Sequence, residues 1–324
     1  MSHANKRLYI QEVATRDGFQ NEARFVDTDA KIALVNKLND CGFAKIEVTS
    51  FTSPKAIPAL RDAEAVMHRI TRKPGVVYTV LVPNVRGAER ALSCDVDEVN
   101  LVMSVSESHN RTNLRMTREQ SFAQLRDVIK VVEETSVAIN VSLSTAMGCP
   151  MEGDVAVSEV LSWGQRFADL GVHGVTLCDT TGMAFPSQVN ELCRHAIATL
   201  RGLELTLHFH NTRGMALANT LAAIGAGVDR FDSSLGGLGG CPYAPGATGN
   251  VCTEELVHML ELEGYETGVN LSAAMEAAAL LPGLVGHDVP SQVLKAGRRL
   301  DLHKMPASAA NGIPEQRALV QQGV

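Results

Sequence analysis

No apolar run in this 324-residue chain reaches the roughly 18–20 residues that a membrane-spanning helix needs. The opening MSHANKRLYIQEV has none of the apolar stretch that a secretory leader carries. Positive charge is not in surplus. Lys and Arg number 29 against 36 Asp and Glu, a net charge of −7, which argues against nucleic acid or an anionic membrane as the main partner. The seven cysteines are scattered without a CxxC pair, so neither a disulfide framework nor a zinc site is indicated. Aromatic residues make up 4%, with one tryptophan, and form no stripe for a cofactor. GxGxxG and the P-loop are both absent, which removes the usual nucleotide-binding signatures. A reduced, cytoplasmic, enzyme-sized domain is the expectation that survives.

What is present is alternation. Hydrophobic residues make up 45% of the chain, ample for a large core. Strand patterns at 8–16, 45–51, 76–82, 98–105, 138–145, 174–179, 203–210 and 229–235 alternate with helical ones. Those fall near 29–41, 61–71, 85–93, 118–135, 156–170, 186–200, 214–226 and 253–263. In 186–200, Val189, Leu192, Cys193, Ala196, Ile197 and Leu200 share one face, and Ser187 is placed to cap it. Eight strand–helix repeats predict an α/β fold, a (β/α)8 TIM barrel over about residues 8–265. Extra apolar helices follow over about 266–300 and a polar tail over about 301–324, all in one catalytic domain.

Strand parity then indicates where chemistry could sit. In LELTLHFH the leucines and Phe209 share one face while Glu204, Thr206, His208 and His210 share the other. Asn140, Ser142 and Ser144, and likewise Glu47 and Thr49, stand on the polar faces of their strands. In a barrel these faces point inward, where polar groups are costly unless paired or ligating. His208 and His210 suit one shared cation, or equally a pair of neighbouring carboxylates. Asp17, in TRDGFQNE, reads either as an Asp-Gly turn or as a ligand for a hard cation at the end of strand 1. Arg16 beside it could stabilise an enolate, with Glu12, of the same parity, behind it. Asp179, in LCDTTG, ends strand 6 and reads as a turn or site aspartate; Glu47 reads as a site residue or a buried ion-pair partner. An Asp oxygen, two His nitrogens and the amide oxygen of Asn250 suit Mg2+ or Mn2+ better than structural zinc. Asn250 also reads as a loop-closing residue ahead of an N-cap at Thr253.

Residues 236–250, GGLGGCPYAPGATGN, hold six glycines and two prolines around Cys241. Taken in order, EVATRDGFQNE, IEVTSFTSPK, STAMGCPMEG, LCDTTG, HFHNTRGMALANT and this glycine-rich loop resemble the HMG-CoA lyase family of DRE-TIM metallolyases, over about residues 9–285. The resemblance implies a TIM barrel that cleaves 3-hydroxy-3-methylglutaryl-CoA to acetyl-CoA and acetoacetate with Mg2+ or Mn2+. It places the metal ligands on Asp17, His208, His210 and Asn250, the enolate-stabilising arginine on Arg16 and the catalytic cysteine on Cys241. Glu47 and Asp179 match further acidic positions, and Asp179, His208 and Asp17 all stand as candidates for the base. Lys55, Asn84 and Arg111 are loop candidates for CoA binding. A homodimer or higher homo-oligomer and a place in leucine degradation are further implications.

Two departures bear on substrate: Arg213 stands where tyrosine is common, and Thr145 where cysteine is common. An added cation at the mouth could alter the acyl pocket or contact CoA phosphate. A lyase for a longer branched 3-hydroxyacyl-CoA is therefore an alternative. Another is a Claisen-condensing acyltransferase of the isopropylmalate or citramalate synthase type, and a third is a non-catalytic barrel.

Overall fold

The computed structural model describes residues 6–240 and 249–303. Eight parallel strands close into a barrel in sequence order: β1 (Tyr9–Glu12), β2 (Lys45–Ser50), β3 (Val77–Leu81), β4 (Glu98–Ser104), β5 (Ala138–Ser144), β6 (Gly174–Asp179), β7 (Glu204–Phe209) and β8 (Arg230–Ser233). Closure comes from β1 against β8, where Tyr9 to Glu12 pair with Arg230 to Ser233. Around the barrel lie α1 (Thr28–Leu38), α2 (Ala63–Arg69), α3 (Val85–Leu92), α4 (Glu107–Leu114), α5 (Arg118–Val132), α6 (Val157–Ala168), α7 (Pro186–Thr199), α8 (Ala216–Ala226) and α9 (Thr253–Leu262). Beyond it come α10 (Leu271–Ala278), α11 (Leu281–Val285) and α12 (Gln292–Ala296).

The apolar strand faces pack outward on the helices. Ile10, Ile46, Val99, Leu101, Val141, Leu143, Val175, Leu177, Leu207 and Phe231 are all buried in one continuous core with the inner helix faces. On the opposite parity the barrel lumen is polar, whereas such barrels usually fill it with branched aliphatics. Most inward groups find a partner, which makes their burial tolerable, although Thr79 Oγ1 has none among the described residues. Lys45 Nζ donates to both oxygens of Glu98 at 2.6 and 2.7 Å, Gln11 to Thr206 at 3.2 Å, and Asn140 to Asn100 and Thr176 at 3.0 and 2.9 Å. The packing leaves a cavity of about 10 Å³ among them, room for about one water.

Several local expectations are corrected. β1 stops at Glu12, and residues 14–18 wind into a π-helical turn, Ala14–Gly18, instead of extending the strand. Glu12 consequently does not back Arg16; its carboxylate accepts from Ala14 N, Leu235 N and Thr253 Oγ1 at 2.8, 3.0 and 2.7 Å. α7 starts at Pro186 with Phe185 as N-cap, so Ser187 does not cap it; proline suits that first position because it has no N–H to leave unpaired. Ile197 lies off its buried face and is exposed. The N-cap of α9 is Cys252, not Thr253, whose hydroxyl is spent on Glu12. α4, polar on most of its surface, gives no apolar period to read, but Ser106 caps it by accepting from His109 N.

Candidate active site and metal centre

The sharp turn after β1 is what assembles the site. Within Ala14–Gly18 the chain reverses tightly enough that Arg16 and Asp17, adjacent in sequence, both aim into the mouth and are both buried. Arg16 donates through Nε to Glu47 Oε2 and through Nη1 to Asp17 Oδ1, each at 2.6 Å. One guanidinium thus ties β2 to the turn. Glu47 is held in turn by Asn100 Nδ2 at 2.9 Å, and Asn100 by Asn140 and Ser142. Burial alone would lower the Arg16 pKa, but the facing carboxylates of Glu47 and Asp17 outweigh it and hold the group charged. Burial raises the Asp17 carboxyl, and Arg16, His208 and His210 overcome that and hold it down at about 2. Glu47 goes the other way: burial raises it and the same arginine only partly offsets the shift.

β7 carries His208 and delivers His210 just past its end, with ring centroids 5.2 Å apart. An isolated backbone bridge pairs His210 with Asn250, which brings the far flank of the glycine-rich loop to the histidines. Asn250 Nδ2 donates to Asp17 Oδ2 at 2.7 Å and to Leu238 O at 2.9 Å. Gln20 Nε2 donates to Asp17 Oδ1 at 2.7 Å. Asp17, His208 and His210 each offer a ligand atom, all within 4.8 Å of one another. His210 Nδ1 and Asn250 Oδ1 are buried with no hydrogen-bond partner among the described residues. Burial, with His208 alongside, pushes His210 down to about 3, so it is a neutral imidazole with lone pairs to offer. Asp17, Glu47 and Asp232 also set three carboxyl groups against the single guanidinium of Arg16. Hard and borderline donors, two orphaned buried acceptors and spare negative charge fit a divalent cation.

Asp179 closes β6 and organises the turn behind it, with Oδ1 accepting from Met183 N at 2.7 Å and Ala184 N at 3.1 Å. Its Oδ2 is buried with no partner among the described residues, and burial raises the carboxyl to about 6. Cys241 lies outside the described residues. Its described flank runs against the site: Asn21 Nδ2 donates to Gly240 O at 2.5 Å. Gly239 sits at φ +104, and a Cβ there would overlap Asn250 Nδ2 and come within 3.1 Å of Asp17 Oδ2.

Of the three CoA candidates, Lys55 and Asn84 sit on the segments after β2 and β3, whereas Arg111 lies within α4 after β4 and not on a loop; all are at the same end of the barrel and none is brought into contact with the cluster. Lys55 is exposed. Asn84 is spent as the N-cap of α3, accepting from Gly87 N at 3.0 Å. Arg111 is exposed and paired with Glu107 at 2.7 Å. The two departures serve structure. Arg213 Nη1 donates to Thr181 O and Gly182 O at 3.1 and 2.8 Å, clamping the turn behind Asp179. Thr145 sits at φ +57 with its hydroxyl between Ser144 O and Ser106 N. Sequence reasoning missed Asp232, Gln20 and Asn100. Asp232 and Asn100 alternate with Phe231 and with Val99 and Leu101, so the parity rule applied to β7 would have found them. No helix among the described residues is long and apolar enough to cross a membrane.

Residues 7–281 match the HMGL-like family model. The chain is 42% identical to hydroxymethylglutaryl-CoA lyase YngG of Bacillus subtilis, over 90% of this chain and 97% of that protein. With the mitochondrial hydroxymethylglutaryl-CoA lyase of Homo sapiens it shares 38% identity over 91% of each. The solved structure of an HMG-CoA lyase from Acinetobacter baumannii, in complex with coenzyme A and 3-methylmalate, superposes with a TM-score of 0.89. That protein is 49% identical, and the match covers 92% of this chain and 98% of that one. A barrel of this order carrying this cluster, matched along nearly its whole length, belongs to the HMGL-like family, among the hydroxymethylglutaryl-CoA lyases.

Proposed function

We infer that this chain is a metal-dependent carbon–carbon lyase that cleaves 3-hydroxy-3-methylglutaryl-CoA to acetyl-CoA and acetoacetate. The observation that carries this reading is the convergence of Asp17, His208 and His210 within 4.8 Å, with Arg16 bonded to the first of them. Asp17, His208, His210 and Asn250 would hold Mg2+ or Mn2+, which supplies Lewis-acid acidification of the substrate C3 hydroxyl. The relatives named above support the substrate.

The protein groups divide the remaining work. A base takes the C3 hydroxyl proton, the C2–C3 bond breaks as the C3 ketone forms, and its electron pair passes into the thioester enolate. Of the three candidate bases, Asp17 has both oxygens engaged and is held at about 2, which makes it a weak acceptor. His208 Nδ1 is committed to Asp232. Asp179 keeps an oxygen with no partner among the described residues and a carboxyl raised to about 6, close to working pH, and we assign it the base role. Arg16, fixed by Glu47, offsets charge on the enolate oxygen. Cys241 protonates the enolate carbon and recovers its proton from solvent, a general acid with no covalent intermediate.

A carboxyl-transferring barrel would want a free lysine at the mouth. Lys45 instead opens β2 at the opposite end and is locked to Glu98. The test is release of acetyl-CoA and acetoacetate from HMG-CoA by Mg2+- or Mn2+-loaded protein, beside Cys241→Ala. Cleavage by wild type with loss of at least ~100-fold in the variant is expected. Inert wild-type protein overturns the substrate, and activity only on longer branched 3-hydroxyacyl-CoAs in the same panel redirects it.

A further inference from the structure

We propose that Asp232 is a positioning residue for the metal centre, locking the His208 ring so that only its Nε2 can ligate. Asp232 lies directly across the β7–β8 ladder from His208, in register with it. Its Oδ2 is 3.0 Å from His208 Nδ1. A carboxylate can only accept, so Nδ1 must carry the proton and donate it, which fixes both tautomer and ring angle. That leaves Nε2 as the bare nitrogen among the groups that converge with Asp17 and His210. The two histidines differ in this respect: His210 Nδ1 has no partner among the described residues, and that ring is placed by the backbone bridge to Asn250. Among the described residues, His208 Nδ1 has a side chain setting the ring's direction and His210 Nδ1 has none.

The hydrogen bond also makes the ring more basic toward a cation, and such outer carboxylates typically change metal affinity by about 10–100-fold. Asp232 further faces Arg16 and Glu47. Activity alone would therefore mix two effects, and the test has to read the metal. The inference rests on the metal reading of the site but not on the identity of the thioester.

The experiment is a substrate-free Mn2+ titration of the full chain, following free Mn2+ by electron paramagnetic resonance, for wild type, Asp232→Asn and Asp232→Ala. Asparagine keeps an acceptor of the same shape without the charge; alanine keeps neither. Positioning predicts a Kd raised about 10–100-fold in Asp232→Ala and distinctly less in Asp232→Asn. Equal losses in the two variants would mean that only local charge matters, and the proposal falls. A Kd within twofold of wild type in Asp232→Ala overturns it as well. Should the variants fail to fold, wild-type protein labelled with 15N-histidine and loaded with Mg2+ still decides. The His208 resonances must show a proton on Nδ1 and none on Nε2, and the reverse tautomer refutes the assignment. Wild-type protein that binds no Mn2+ removes the metal reading and this inference together. Binding that is indifferent to Asp232 removes the inference alone.

Discussion

Arg16 does its work through geometry that no other cation reproduces. Its Nε reaches Glu47 while Nη1 reaches Asp17, a fork that a lysine ammonium cannot span. Arg16→Lys is accordingly expected to lower kcat by about 100–1,000-fold with KM little changed and the fold intact. Steady-state kinetics beside circular dichroism checks this, and a kcat within fivefold of wild type would remove the arginine from the chemistry. Glu12 is the opposite case, a buried carboxyl that keeps its proton in the folded state. Burial raises its carboxyl to about 8, against the hydrogen bonds from Thr253, Leu235 and Ala14, whereas the unfolded value is 4.5. Between those values the folded state holds a proton that the unfolded state has released. The stability contributed is therefore complete below pH 4.5 and lost as pH rises through 8. Urea unfolding from pH 5 to 8.5 should show wild type losing stability relative to Glu12→Gln, by at most about 1.4 kcal/mol per pH unit. A flat difference would place the Glu12 pKa near its ordinary value.

At the scale of elements, the segments that leave the barrel strands do the assembling. Leu238–Gly240 passes so close to Asn250 and Asp17 that only glycine fits at 239, for space and for its φ of +104. Gly239→Ala should cost about 10–100-fold in kcat/KM and weaken Mn2+ binding in parallel, because Asn250 or Asp17 must give way. Unchanged kinetics and unchanged Mn2+ titration would show that the segment can relax elsewhere. Inside the barrel, β2 and β4 are joined by the buried Lys45–Glu98 pair. Glu98→Ala, which strands the ammonium, should cost about 3–5 kcal/mol in chemical denaturation. The double change Lys45→Met with Glu98→Leu should recover most of that loss. A single variant as stable as wild type would mean that water reaches Lys45. The elements themselves were mostly readable, since periodicity marked all eight strands and eight of the surrounding helices. The misses share a cause. The turn at Ala14–Gly18 and the N-cap residues of α7 and α9 depend on where neighbouring chain accepts hydrogen bonds, which local pattern does not record.

For the whole molecule, the metal should act as a stabilising ligand, because Asp17 on the first turn, His208 on β7, His210 just past its end and Asn250 ahead of α9 meet only in the folded state. At free Mn2+ of about 100 times Kd the gain is about 2.7 kcal/mol, a rise of several degrees in Tm. Calorimetry with Mn2+ and with EDTA measures it, and His210→Ala should abolish the difference. A Tm indifferent to the cation in wild type would count against the centre. The sequence by itself determined the barrel, because eight repeats of period 2 followed by period 3.6 have few other ways to bury their apolar faces. It also determined the identities of the candidate ligands, since strand parity and motif order are properties of the chain read one residue at a time. Only the tertiary structure decided which groups serve which. It took Glu12 from Arg16 and bound it to the start of α9, gave Arg16 to Glu47, set Asp232 behind His208, and left Asp179 Oδ2 unpartnered among the described residues. Those partnerships join residues on different strands, and their distances are fixed by how the closed barrel registers those strands and by the turns that leave them.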